Sequence, residues 1–147
     1  MLEALFFFLV ILPLLSPVLL IVAAGLVVHT VVVTTRGRRP RTGALWARLT
    51  VISLCVGLAA YGIGLWEGSL MWMSQPEDLC QMSGLSYSGS YGSESLWPLH
   101  NHTCASGGVP VDMVPAYVNP VLYAAIGLFV VGVAGVIVSR LRRRQAV

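Results

Sequence analysis

Three stretches of this chain contain no Asp, Glu, Lys or Arg, and they constrain its fold more than any motif does. They cover 32 residues at 4–35, 18 at 49–66 and 27 at 113–139. A bilayer core about 30 Å thick takes roughly 20 apolar residues of helix to cross, so the second stretch is only just long enough. Backbone groups inside a bilayer must bond within their own segment. The pattern predicts an all-α integral membrane protein with three transmembrane helices.

The composition excludes the main alternative, a water-soluble enzyme. Of the 147 residues 56% are hydrophobic and 10% are charged, whereas soluble domains carry about 25% charged residues. The formal net charge of +3 does not indicate nucleic-acid binding, because the positions of the charges carry more information than their sum.

The nine basic residues are all arginines in two clusters, and the six acids lie elsewhere. The first cluster is Arg36, Arg38, Arg39, Arg41 and Arg48, and the second is Arg140, Arg142, Arg143 and Arg144. Arginine is enriched on the cytoplasmic side of membrane proteins. We therefore predict a multi-pass plasma (inner) membrane protein with its N-terminus and the 67–114 loop outside and its C-terminus in the cytoplasm. The arginines act as topology determinants that contact lipid headgroups.

The expected organisation follows from these boundaries. It consists of transmembrane helix 1 at 1–35, a cytoplasmic loop at 36–48, helix 2 at 49–73, an extracytoplasmic loop at 74–114, helix 3 at 115–139 and a basic tail at 140–147. Pro13 and Pro17 predict a kink in helix 1, which leaves open whether residues 1–12 span the membrane or lie in its interface. Glu3 in place of a basic leader favours a retained helix over a signal peptide.

Small residues recur at helical spacing in the second and third stretches. Ala60, Gly64 and Gly68 fall on one face of helix 2, with Ser53 and Gly57 in a neighbouring row. Helix 3 carries Gly127, Gly132 and Gly135. Small residues let membrane helices approach closely. These positions predict helix packing, either within the chain or with a second copy or a partner membrane protein. Asn119 and Pro120 are typical of the N-cap and first position of a helix.

The outward loop holds two of the three cysteines, Cys80 and Cys104. Cysteines on the oxidising side of a membrane most simply form a disulfide, and we predict that pair. A reactive redox pair is the alternative. Cys55 lies within the second stretch and is expected to behave as a small apolar residue.

The run 97–104 contains the densest set of chemically active side chains. His100, His102 and Cys104 stand at alternate positions, so an extended backbone would place them on one side. Histidine and thiolate bind zinc or copper, but a disulfide would remove Cys104. Glu94 or Asp112 would then have to complete a site on His100 and His102. Solvated loop histidines are the simpler interpretation, and no other cofactor is expected.

Several short motifs resemble those of small three-span actinobacterial membrane proteins of unknown function. They are the run 96–99 (Leu-Trp-Pro-Leu), Cys104, Gly107-Gly108, Val114-Pro115 and the run 118–120 (Val-Asn-Pro). The resemblance covers the loop and the start of helix 3. It implies a bacterial origin and carries no activity.

No catalytic motif is present: there is no phosphate-binding glycine loop, Cys-x-x-Cys, nucleophile elbow or zinc-protease signature. We therefore expect a non-enzymatic accessory subunit or assembly factor of a larger plasma-membrane complex. The alternatives are an extracytoplasmic copper or zinc binding or delivery protein and a membrane immunity or export-associated protein.

Overall fold

The computed structural model describes residues 2–37, 42–68, 76–87 and 94–145. In chain order its helices and strands are α1 (Leu2–Thr35), α2 (Thr42–Glu67), α3 (Pro76–Met82), β1 (Ser86–Tyr87), β2 (Glu94–Leu96), β3 (Leu99–Asn101), β4 (Cys104–Ser106), β5 (Val109–Val111) and α4 (Val118–Gln145).

Three of these helices are long and apolar enough to cross a membrane, which confirms the predicted helical content. The candidate spans are Val10–Thr35, Thr42–Glu67 and Val118–Arg142. Within the most apolar window of each span, 44% of α2 is buried against 22% of α1 and 17% of α4. The second span therefore makes the most contacts within the chain, and the other two expose most of their apolar side chains.

The helix bounds differ from the predicted ones at the arginine clusters. The second helix begins at Thr42 instead of residue 49 and ends at Glu67, so Arg48 lies inside it. The last helix begins at Val118 and runs through its arginines to Gln145 instead of ending at 139. Charge sets the limits of a membrane span but does not end a helix, because arginine is a good helix former and suits a helix C-terminus.

The first helix is continuous through both of its prolines. It runs from Leu2 to Thr35 without interruption in its assignment, and Pro13 is buried while Pro17 is exposed. A neighbouring helix approaches at the first proline, as described below. The size of a bend at these residues stays a prediction, as does the location of 1–12 in the bilayer.

The all-α prediction is wrong for the 74–114 segment, which contains one short helix and five short strands in its described residues. Strands β2 and β3 form one antiparallel pair, and β1, β4 and β5 form a three-stranded antiparallel sheet with β4 in the centre. Two residues, Gly107 and Gly108, connect β4 to β5 with φ of 58° and 83°. This is the hairpin turn in which both central residues need positive φ, so the Gly-Gly pair fixes the register.

The chain divides into two compact units that separate the charges completely. The first, here the disulfide unit, comprises Met1–Leu14 and Ala60–Pro120; the second, the arginine unit, comprises Leu15–Ala59 and Val121–Val147. All six acids belong to the disulfide unit and all nine arginines to the arginine unit. Each boundary between the two units falls inside one of the three charge-free stretches.

Candidate interaction surface

The predicted disulfide is present and joins a helix to a sheet. Cys80 in α3 bonds to Cys104 in β4 across a sequence separation of 24, and both residues are fully buried. Helix α3 begins at Pro76 with Glu77 and Asp78 in its first turn, where proline and acids stabilise a helix N-terminus. The bond fixes this short helix against the sheet and closes the unit's small core.

A buried asparagine is the centre of the polar contacts in the disulfide unit. The Asn101 side chain, only 2% exposed, donates from Nδ2 to the Gly68 carbonyl at 2.8 Å. Its Oδ1 accepts bonds from the Thr103 backbone N–H at 3.0 Å and the Thr103 hydroxyl at 2.7 Å. The Asp112 carboxylate accepts from the Asn101 N–H at 3.0 Å. These bonds tie β3 to the end of α2 and to the segment that precedes α4.

A second asparagine has a role other than the one predicted for it. Asn119 was expected to cap the last helix, but that helix begins one residue earlier, at Val118. The Asn119 Oδ1 instead accepts from the Leu99 N–H at 3.2 Å, and its Nδ2 donates to the Leu99 carbonyl at 2.8 Å. The side-chain amide thereby bonds to both the N–H and the carbonyl of Leu99. Backbone groups in the interior of a protein need such partners.

Two glycines bring backbones together inside the disulfide unit. A Cβ at Gly64 would lie 2.7 Å from Val118 Cγ1 and 3.3 Å from Leu99 Cδ2, and both neighbours are fully buried. A Cβ at Gly62 would lie 2.9 Å from the Leu12 carbonyl oxygen. The row of Ala60, Gly64 and Gly68 thus faces packed surroundings. Gly62 was not among the predicted packing residues, because it does not fall in a row of small residues at four-residue spacing.

In the arginine unit, small residues let α2 and α4 pack antiparallel. A Cβ at Gly57 would lie 3.2 Å from the Ala125 Cβ, and one at Gly132 would lie 3.1 Å from the Thr50 backbone nitrogen. Gly135 lies directly against the Trp46 ring. Gly127 is different: its Cβ position has no atom within 4 Å in the described part of the chain, so it does not take part in this contact.

Among the described residues, the arginines lie in α2 and α4 or in the turn after α1. Arg48 donates to the Thr30 hydroxyl at 3.3 Å and so links α2 to α1. Arg36 lies in the turn after α1. The α4 arginines are Arg140, Arg142, Arg143 and Arg144, of which Arg143 is described by its backbone alone. Arg38, Arg39 and Arg41 lie outside the described residues.

The two histidines lie close together without a third ligand in the described residues. Their ring centroids are 5.3 Å apart, consistent with alternate positions of an extended segment. Cys104 is committed to the disulfide. Glu94 pairs with Asn101 across the hairpin, whereas His100 pairs with Ser95, so Glu94 and His100 belong to opposite faces. The described ranges contain no group of three or more His, Cys, Asp or Glu side chains that could hold a metal.

The central sheet exposes apolar side chains on one face. Tyr87 and Val111 both pair with Cys104, and Val109 pairs with Ser106 two residues further along β4. Directly opposed residues share a face, so Tyr87, Val109 and Val111 form what we call the apolar sheet face. Their exposed fractions are 43%, 66% and 37%. The same register places the fully buried Cys104 between Tyr87 and Val111 on this face, so the exposed apolar groups flank the disulfide. Exposed apolar groups on one face are typical of binding surfaces.

The β5 edge of this sheet is poorly suited to pairing with another strand. Pro110 occupies the middle of edge strand β5, and proline has no N–H to donate. Proline on an edge strand prevents edge-to-edge association. Pairing of another strand along β5 is therefore disfavoured.

Comparisons with protein-family models, with curated proteins and with solved structures found no match. The interpretation of the surface therefore depends on the contacts, burial and charge described above.

Proposed function

We propose that this chain is a non-enzymatic integral membrane protein that works by association, as an accessory subunit or assembly factor of a larger plasma-membrane complex. Its three long helices cross the bilayer, and the disulfide unit lies on the extracytoplasmic side. There the apolar sheet face binds the apolar surface of a partner protein.

The distribution of charge supports this orientation. Every arginine belongs to one compact unit and every acid to the other. Basic residues favour the cytoplasmic side, and a disulfide is stable where the environment is oxidising. Both observations support the proposed location of the disulfide unit outside.

The exposed apolar residues of the small sheet are the observation that carries the proposal of a partner. Val109 is 66% exposed, although its sheet is stabilised by a buried disulfide and by the Gly107-Gly108 hairpin turn. Lipid contact accounts for exposed apolar residues on the long helices, but not for those of a sheet outside the candidate spans. A protein partner would cover them.

We expect the Val109→Glu variant to lose its stoichiometric membrane partner. A carboxylate on the apolar sheet face would have to be desolvated on binding, which is costly without a paired charge. The affinity-tagged full chain, extracted from its native membrane in mild detergent, is compared with the variant by quantitative mass spectrometry. At least a tenfold loss of the copurifying protein is expected, equivalent to about 1.4 kcal/mol.

Gln81→Glu is the matched control, since Gln81 is exposed in α3 of the same unit and the substitution introduces the same charge. This variant should retain the partner. The proposal would be contradicted if the wild type, Val109→Glu and Gln81→Glu all recovered the partner equally. It would also be contradicted if the wild-type chain purified without a stoichiometric partner.

A further inference from the structure

A groove runs between the start of α2 and the end of α4 within the arginine unit. Its volume is about 600 Å³. Its walls are mainly apolar: Trp46 forms one side, and Val131, Ala134 and Val138 form the other. The Trp46 ring packs directly on Gly135, which brings the ring against α4. Such walls are suited to a hydrocarbon chain.

One end of the groove is polar and cationic. Thr42, Ser139 and Arg142 line it there. The arginine unit contains no Asp or Glu, so no acidic side chain of this unit is available to neutralise Arg142. The occupant that complements this end carries a negative charge, and a phosphate is one of the anions that a guanidinium binds in bidentate fashion.

The length of the groove matches one leaflet of a bilayer. Val131 and Arg142 are eleven residues apart on one continuous helix, which at 1.5 Å per residue corresponds to about 16 Å. Half of a hydrocarbon core is about 15 Å thick. An acyl chain that lies along the apolar walls would therefore place its headgroup level with Arg142.

We propose that this groove binds one anionic phospholipid, with its phosphate at Arg142 and an acyl chain between Trp46 and α4. This inference goes beyond the proposed function: it requires the helices to be inserted in a membrane, but it requires no protein partner. Zwitterionic lipids fit the same walls, yet only an anionic headgroup supplies the net negative charge that the unit lacks.

The test uses quenching of tryptophan fluorescence by lipids with brominated acyl chains, because Trp46 is the only tryptophan of the arginine unit. The full chain in detergent micelles is titrated with brominated phosphatidylglycerol or brominated phosphatidylcholine, and the signal of the Trp46→Phe variant is subtracted. Phosphatidylglycerol should quench Trp46 at a mole fraction about fivefold lower than phosphatidylcholine does. This ratio corresponds to the attraction that one arginine adds for an anionic lipid.

Two variants locate the site. Arg142→Gln should abolish the preference for phosphatidylglycerol, whereas Arg140→Gln should keep it, because residues two apart on a helix point about 200° from each other. Ala134→Leu fills the groove and should weaken quenching by both lipids. The proposal is overturned if the wild type shows no preference, or if Arg140→Gln loses the preference as Arg142→Gln does. Both arginines are exposed, so neither variant removes core packing.

Discussion

Replacing Cys80 with serine should destabilise the disulfide unit by about 3 kcal/mol. The Cys80–Cys104 bond spans 24 residues, and a cross-link of that length restricts the unfolded chain by roughly this amount. In the described strands of the small sheet, Cys104 and Ala105 are the buried apolar residues, so loss of the bond leaves little buried apolar surface to replace it. We expect the variant's disulfide unit to be cleaved by protease under conditions in which the wild-type unit is resistant.

The measurement is the rate of proteolysis of purified full-length chain, with and without reductant. Cys104→Ser and the double variant should each match Cys80→Ser, since all three lack the same single bond. Cys55→Ala is the control: Cys55 is a buried free cysteine of the other unit, and its loss should leave resistance unchanged. An oxidised wild type as sensitive as the double variant would contradict a stabilising role.

Asn101→Leu is the second substitution with a large expected effect. It should lower the free energy of unfolding of the disulfide unit by about 3 kcal/mol. Leucine has the same branched shape and the same number of side-chain heavy atoms but leaves the Gly68 carbonyl and the Thr103 N–H without their bonds to Asn101. Leaving a buried polar group unpaired costs about 1–3 kcal/mol. Because these bonds connect β3 to the end of α2, the variant should unfold the disulfide unit at a temperature several degrees lower.

Thermal unfolding in detergent, followed by intrinsic tryptophan fluorescence, measures this effect. Thr103→Ser serves as the control, because serine keeps the hydroxyl that donates to Asn101 Oδ1. It should unfold close to the wild type. Unfolding of Asn101→Leu at the wild-type temperature would show that the hydrogen bonds of Asn101 do not stabilise the disulfide unit.

The sequence alone was sufficient to predict the three long helices and the disulfide. Charge-free stretches report directly on where a helix can be buried in hydrocarbon, and two cysteines outside those stretches allow only one pairing between them. The helix ends were less predictable. Arg48 and Arg140 interrupt an apolar run, but a helix continues through them because its backbone bonds do not depend on side-chain charge.

The polar contacts of the disulfide unit could not be predicted in this way. Asn101 lies in a polar run of the sequence, yet it is buried and bonded to Gly68, which is 33 residues distant. Asn119 read as a helix cap, and its partner Leu99 is 20 residues distant. Side-chain amides carry no sequence pattern that indicates a distant backbone partner, and neither does a glycine such as Gly62, whose neighbour Leu12 is on another helix.

The membrane topology is the central claim, and thiol labelling of right-side-out membrane vesicles tests it most directly. Two variants are made in a Cys55→Ala background: Ser106→Cys in the disulfide unit and Gln145→Cys at the end of α4, both at exposed positions. A membrane-impermeant maleimide should label the Ser106→Cys variant in intact vesicles and the Gln145→Cys variant only after permeabilisation. Labelling of Gln145→Cys in intact vesicles, with Ser106→Cys protected, would contradict the account.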